Sequence, residues 1–243
     1  SDQWAQVSIA GPKARHVVAK LVDDGFDVSH AAFPYMAAAE LRVLGGVPAR
    51  LFRLSFSGEL AYEIAVPARY GEALAAALMR AGADYGITPY GTEAPGVMRI
   101  EKGHVGGNEI DGRTTAEDLG LGRMMSHKKD YIGRVLAQRP SLIAPGRMQL
   151  VGLKPLQPGA RLRAGAHVLP LGAAPQATND EGVVTSVANS PTLQSWIGLA
   201  LVKSGAARIG QRVRAYDPLR SGDVEVEMGP PCFVDPQGAR LHV

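Results

Sequence analysis

The sequence predicts an α+β protein, an antiparallel sheet with helices on one face, followed by a small C-terminal β-barrel. Three observations carry that expectation. Two runs of apolar/polar alternation flank a Gly58-Glu59 turn; stretches with helical spacing of apolar residues precede and follow them; and beyond Pro140 helical patterning gives way to short β-rich runs between turn residues.

The elements follow in order. Gln6 to Ala10 is short and apolar enough for a strand, and GPKARHVVAKLVDDG then puts Val17, Val18, Leu21 and Val22 on one helical face before a stop at Gly25. Phe52, Leu54 and Phe56 alternate with Arg53, Ser55 and Ser57; after the turn, Tyr62, Ile64 and Val66 alternate with Ala61, Glu63 and Ala65. This is the signature of a β-hairpin. Pro67 ends it, and YGEALAAALMRAG is an alanine-rich helix closed by Gly82. Thr92 is placed to cap a further helix to Lys102, with Pro95 in its first turn and Gly103 at its stop. Thr115 with Asp118 resembles a capping arrangement, and Asp130 begins a helical run with Ile132, Val135 and Leu136 on one side. The later runs QLVGL, GVVTSVA, WIGLALV, RVRAY and VEVEM have the length and spacing of barrel strands, which places a domain boundary near Arg147. The expected domains are 1–146 and 147–243.

Composition narrows the class. With 243 residues and 46% hydrophobic content the chain can bury a core, and no apolar run approaches the ~20 residues that span a bilayer. A soluble, cytoplasmic protein is expected. Cys232 is the single cysteine, so neither an internal disulfide nor a cysteine-based metal site is expected. Lys and Arg are scattered at a net charge of +3, which does not indicate nucleic-acid binding. His30 and His127 lack partners at ligand spacing, so no metal is expected.

Two features point to a ligand. The run from Gly96 to Gly122 mixes acids, bases and glycines at no regular period, as a surface loop or a cavity rim would. Glu63 is the more specific signal, because alternation sets it opposite Tyr62, Ile64 and Val66 with only Ala61 and Ala65 beside it. A carboxylate above small neighbours can accept two parallel hydrogen bonds from an amidine-like edge, such as the 2-amino and ring N–H groups of a pterin. A solvent-facing glutamate on a one-sided sheet fits the same pattern. Glu59 reads as solvated, Arg99 as pairing locally or favouring its helix dipole, and His104 as a structural residue at a helix end or a general base or donor. The glycines of GGVP and HVGGNEIDG do not link a strand to a helix as a dinucleotide loop requires, and no catalytic residue is singled out.

The ordered motifs IAGPKA, SFSGELAYEIAVP, YGTEAPGVMRIEKGHVGGNEIDGRTTAEDLGLG, KKDYIGR and GVVTSVANSPTLQSWIGLALV resemble the folate-binding aminomethyltransferase family, typified by the glycine cleavage T-protein. Within it, LAYEIAVP, RIEKGHV, MMSHKKDYIGR and PCFVDPQGARLHV look closest to the C-terminal part of the alpha subunit of heterotetrameric sarcosine oxidase. The resemblance implies tetrahydrofolate as cofactor, with flavin (FAD or FMN) and NAD only in other parts of a complex with other subunits. It implies that a flavin oxidises the N-methyl group of sarcosine and that the one-carbon unit passes to tetrahydrofolate, giving 5,10-methylenetetrahydrofolate. Glu63 matches the family glutamate that grips the pterin; Gly58, Asn108 and Asp111 match positions shaping the central cavity, and Tyr62 lies in the same motif. Asn108 also suits a turn. Three departures stand out: Pro95 falls where a T-protein arginine anchors the folate tail, Gly238 falls at a C-terminal tyrosine, and the segment carrying the family's catalytic aspartate is not found, so the chain resembles a fragment. Other readings are a glycine-cleavage aminomethyltransferase, a dimethylglycine dehydrogenase-like enzyme, or a folate-family module kept for subunit contacts.

Overall fold

A computed structural model describes residues 2–23, 25–220 and 222–242. The chain divides into two compact units, residues 1–95 with 235–243, and residues 96–234.

The first unit is built on β1 (Trp4–Ala10), β2 (Ala38–Val43), β3 (Val47–Phe52) and β4 (Ala61–Pro67), with α1 (Ala14–Ala19) and α2 (Gly71–Gly82). Its sheet has the order β1-β4-β3-β2, and each neighbouring pair is antiparallel. Direct partners share a face, so Val7, Ile64, Leu51 and Ala39 form one row across all four strands. With Ile9, Tyr62, Val66, Ala49 and Val43 they pack against Val17, Val18 and Leu21 of the α1 region and Leu74, Ala77 and Leu78 of α2. Each buried Val, Leu or Ile contributes roughly 1.5–3 kcal/mol relative to exposure, which sets the direction of every side chain in the sheet.

The hairpin differs from the expected one in its connection. β3 ends at Phe52, and residues 53–60 form a long irregular link, not a two-residue turn. The cause is Arg53, which is 1% exposed. Its backbone N–H donates to Ala37 O at 2.8 Å, and its guanidinium donates to Phe33 O at 3.0 Å and Leu241 O at 2.7 Å. These bonds draw the chain out of the sheet, leaving Leu54 half-buried and Phe56 50% exposed. Nor is Glu59 merely solvated, since Arg240 Nη1 reaches it at 2.8 Å. The glycines of GGVP turn β2 into β3, where Asp23 accepts the N–H groups of Gly45 at 2.8 Å and Gly46 at 2.6 Å.

In the second unit α3 (Glu93–Lys102), which begins at the end of the first, stops before Gly103 as the sequence implies. Thr115 and Asp118 do bond reciprocally, yet they close a turn and not a helix. The run after Asp130 yields only α4 (Arg134–Ala137), because Gly133 takes a left-handed φ of 94° just before it. Ile132, Val135 and Leu136 are consequently exposed instead of packed. A closed barrel follows, ordered β10-β5-β8-β7-β6-β9, from β5 (Met148–Pro155), β6 (His167–Pro170), β7 (Gly182–Ser190), β8 (Ser195–Lys203), β9 (Arg212–Asp217) and β10 (Gly222–Gly229). Val151, Leu153, Val184, Ala200, Val213, Val226 and Met228 belong to its core. The barrel starts beside the boundary expected near Arg147, while residues 235–243 group with the first unit. The basic residues of RLRAGAH precede β6 and are not on a strand. Among the described residues no helix is long and apolar enough to cross a membrane, and no group of three or more His, Cys, Asp or Glu is placed to hold a metal.

Arg53→Met is expected to destabilise the protein by roughly 1–3 kcal/mol, since two carbonyls lose a charged donor. Urea unfolding measures the loss, and amide exchange over residues 235–242 should quicken in the same variant.

Candidate ligand-binding site

The face of the first sheet that α1 and α2 do not cover is set by the same two-residue period. Glu63 projects from it at the middle of β4, directly opposite Ser8 on β1 and Phe52 on β3, with Ala61 and Ala65 before and after it. Gln6 stands opposite Ala65, one diagonal step away. Further along the face, Arg50 stacks over the Trp4 ring at 4.4 Å and donates to Glu40 at 3.2 Å. Two shallow hollows of about 330 and 320 Å³ share Glu40 and Arg50, and the second reaches Phe52.

Glu63 is half-buried and, among the described residues, has one hydrogen-bond partner, the Nε2 of Gln6 at 2.5 Å. A carboxylate offers about four acceptor directions, so most of its capacity is free.

Tyr62 and Gly58, expected at the same site, are engaged elsewhere in the first unit. Tyr62 is 0% exposed, on the helix-covered face, stacked on Phe33 with ring centres 6.4 Å apart and receiving a hydrogen bond from Arg15 Nε at 3.1 Å. A residue in that core cannot touch a ligand on the Glu63 face. Gly58 serves the backbone of the 53–60 link, with a φ of 83° and its N–H donated to Ser55 Oγ at 3.0 Å. Asn108 and Asp111 belong to the second unit. There Asn108 Nδ2 donates to Thr185 O at 3.2 Å, and Asp111 accepts Arg113 N at 2.9 Å and Nε at 2.7 Å. These bonds from Arg113 hold the Asp111 carboxyl below the usual carboxylate range.

Sequence reasoning passed over Gln6, Ser8 and Phe52, which only strand register could bring to Glu63. It also passed over Glu109, a fully buried acid of the second unit. Glu109 is 0% exposed and accepts Thr185 Oγ1 and Ser186 Oγ at 2.6 Å each, Gly106 N at 2.7 Å and Arg99 Nη1 at 3.0 Å. Arg99 Nη2 also donates to Ser186 Oγ at 2.7 Å. Burial pushes the Glu109 carboxyl up, but the bonds from Ser186, Thr185 and Gly106 and the charge of Arg99 outweigh it and hold the group below its ordinary range. Asp118 is held down in the same way against burial by Arg147 and Thr115. It forms one wall of a 510 Å³ cavity with Arg147, Met125, His127, Leu142 and Ile143, which none of the expected site residues lines.

The GCVT N-terminal domain matches residues 1–129, and the glycine cleavage T-protein C-terminal barrel domain matches residues 148–235. The chain belongs to the glycine cleavage T-protein family. It is 52% identical to the sarcosine oxidase subunit alpha of Rhizobium meliloti over 100% of this chain and 25% of that one. It is 34% identical to an aminomethyltransferase of Caldanaerobacter subterraneus over 88% of this chain and 54% of that one. The crystal structure of glycine cleavage system aminomethyltransferase T from Bartonella henselae shares the fold, with a TM-score of 0.74 at 24% identity over 96% of this chain and 60% of that one. The chain thus spans a quarter of the length of the sarcosine oxidase subunit and about half that of the aminomethyltransferase. Of the two T-protein family regions, the first holds both Glu63 and Glu109, and the second holds Thr185 and Ser186, which bind Glu109.

Glu109→Ala is expected to cost about 3 kcal/mol at neutral pH, because it strands Arg99 and two hydroxyls beside the barrel. A carboxyl held below its unfolded value stabilises above that value and loses its contribution as pH falls through the folded one. The gap between wild type and variant in urea unfolding should therefore be full at pH 7 and shrink steadily under acid.

Proposed function

We propose that the chain is the tetrahydrofolate-binding part of a sarcosine oxidase alpha-type subunit, in a complex that demethylates sarcosine oxidatively and delivers the one-carbon unit as 5,10-methylenetetrahydrofolate. One observation carries the reading: Glu63 stands on the sheet face that α1 and α2 leave uncovered, with a single hydrogen-bond partner among the described residues, flanked by Phe52 and by two alanines. That set suits the pterin end of the cofactor. Two carboxylate oxygens match two adjacent N–H donors, the Phe52 ring offers a flat apolar neighbour, and the alanines leave room for a bicyclic ring. Support also comes from the relatives, whose names pair sarcosine oxidase with aminomethyl transfer and whose identity is higher on the oxidase side.

When bound, tetrahydrofolate supplies the amines that capture an electrophilic one-carbon unit. The chain's own part is to bind the ring, orient it and keep water from the capture. The Glu63 face carries neither histidine nor lysine, so the residues here act through proximity and orientation more than by moving protons. Flavin, NAD and the partner subunits belong to other parts of the complex in this reading, which places the protein in the cytoplasm.

Glu63→Ala in the full-length protein is expected to weaken tetrahydrofolate binding by roughly tenfold to a hundredfold, the worth of one or two hydrogen bonds to a charged group. Calorimetric titration reads this, and an unchanged affinity would remove the reading. The 243-residue chain alone should release no hydrogen peroxide from sarcosine in a peroxidase-coupled assay.

A further inference from the structure

The partner of Glu63 is itself informative. Gln6 is exposed on the same uncovered face, on the strand next to β4, and its side chain reaches across one diagonal to the carboxylate. An ionised carboxylate only accepts, so the amide must turn Nε2 toward it; the opposite flip would set two oxygens against each other. Glu63 thereby fixes which end of the Gln6 amide faces inward. An amide nitrogen carries two hydrogens. One is used on Glu63 Oε2, and the second is left for another acceptor. The Glu63–Gln6 pair therefore carries three groups that a ligand could use: two acceptor oxygens from Glu63 and one further donor from Gln6.

We propose that Gln6 is a specificity-determining residue, selecting ligands with a 2-amino-4-oxopyrimidine edge over those with a 2,4-diaminopyrimidine edge. The inference rests on the reading of Glu63 as the group that holds the ring. A 2-amino-4-oxo edge runs donor, donor, acceptor: the amino N–H, the ring N–H and the carbonyl oxygen. This is the complement of the Glu63–Gln6 row. A 4-amino group puts a donor against the second Gln6 N–H, and the neutral ring nitrogen beside it has lost its hydrogen. Gln6 cannot rotate its oxygen inward to accept the new donor without giving up its bond to Glu63 and facing a negative charge instead. Discrimination thus follows from the lock on the amide as much as from the amide itself.

The test measures binding of tetrahydrofolate and of its 4-amino-4-deoxy counterpart to the full-length protein by calorimetry, in wild type, Gln6→Leu, Gln6→Glu and Glu63→Ala. Wild type is expected to prefer the 4-oxo ligand, and Gln6→Leu to lower that affinity by about tenfold while leaving the 4-amino ligand nearly unchanged. Gln6→Glu, which replaces the donor with an acceptor at the same length, should lose still more 4-oxo affinity and keep the fold as judged by circular dichroism. Equal losses for both ligands in Gln6→Leu would reduce Gln6 to a prop for Glu63 and overturn the proposal. So would an intact preference. Loss of both ligands in Glu63→Ala alongside either result rejects Gln6 alone, whereas undiminished binding in Glu63→Ala rejects the pterin reading beneath it.

Discussion

The two-sidedness of the central strand β4 governs the first unit. Tyr62, Ile64 and Val66 are all 0% exposed and packed with the helices, so Glu63, lying between them in sequence, must point the other way. Slipping the register by one residue would expose all three apolar side chains and drive the carboxylate into the core. Each lost burial costs roughly 1.5–3 kcal/mol, and an unpaired buried charge costs several more. The orientation of Glu63 is therefore dictated by the whole core. No local feature of the glutamate needs to hold it there.

That constraint explains which parts were legible in the sequence. Alternation is a local signal, and it located β4, the face of Glu63 and most of the barrel strands. It failed where a distant partner intervened. Phe52, Leu54 and Phe56 alternate as a strand would, but Arg53 binds carbonyls at Phe33 and Leu241, far away in sequence, and pulls the chain aside. β2 carries the mixed sequence AAELRV, whose short apolar side chains give little contrast between faces. β6 has only four residues, ending in Pro170, too few to show a period. Tyr62 shows two signals at odds: the pattern placed it in the core, where it lies, while its place in the motif suggested contact with ligand.

The glycine- and acid-rich run through the second unit is resolved by the same accounting of partners. Glu101 accepts Ser190 Oγ at 2.5 Å, Glu109 collects four donors and Asp118 is held by Arg147 and Thr115. Their serines, threonines and arginines come largely from elsewhere in the chain, which is why spacing alone showed charge without purpose. A lone acid in sequence can be a tether for a loop or a hand for a ligand, and the two differ only in how many of its lone pairs the protein fills.

Glu109 and Glu63 mark the two ends of that range. Glu109 has its acceptor directions filled by Arg99, Gly106, Thr185 and Ser186 and no exposed surface, so any ligand would have to displace a protein donor. Among the described residues Glu63 keeps one partner, and it holds a half-buried position on a sheet whose backbone is pinned by ladders to both neighbours. A rigid sheet gives the carboxylate a fixed direction, which reduces the ordering cost when a flat donor edge arrives. A flexible loop could offer the same oxygens but would lose that advantage on each binding event. Chemistry that depends on holding two reactants in place gains from such a mount, because misplacement of about 1 Å is enough to lose much of the rate. In the proposed reading the small side chains of Ala61 and Ala65 limit the bulk beside Glu63, and the larger Phe52 and Gln6 flank it on the neighbouring strands.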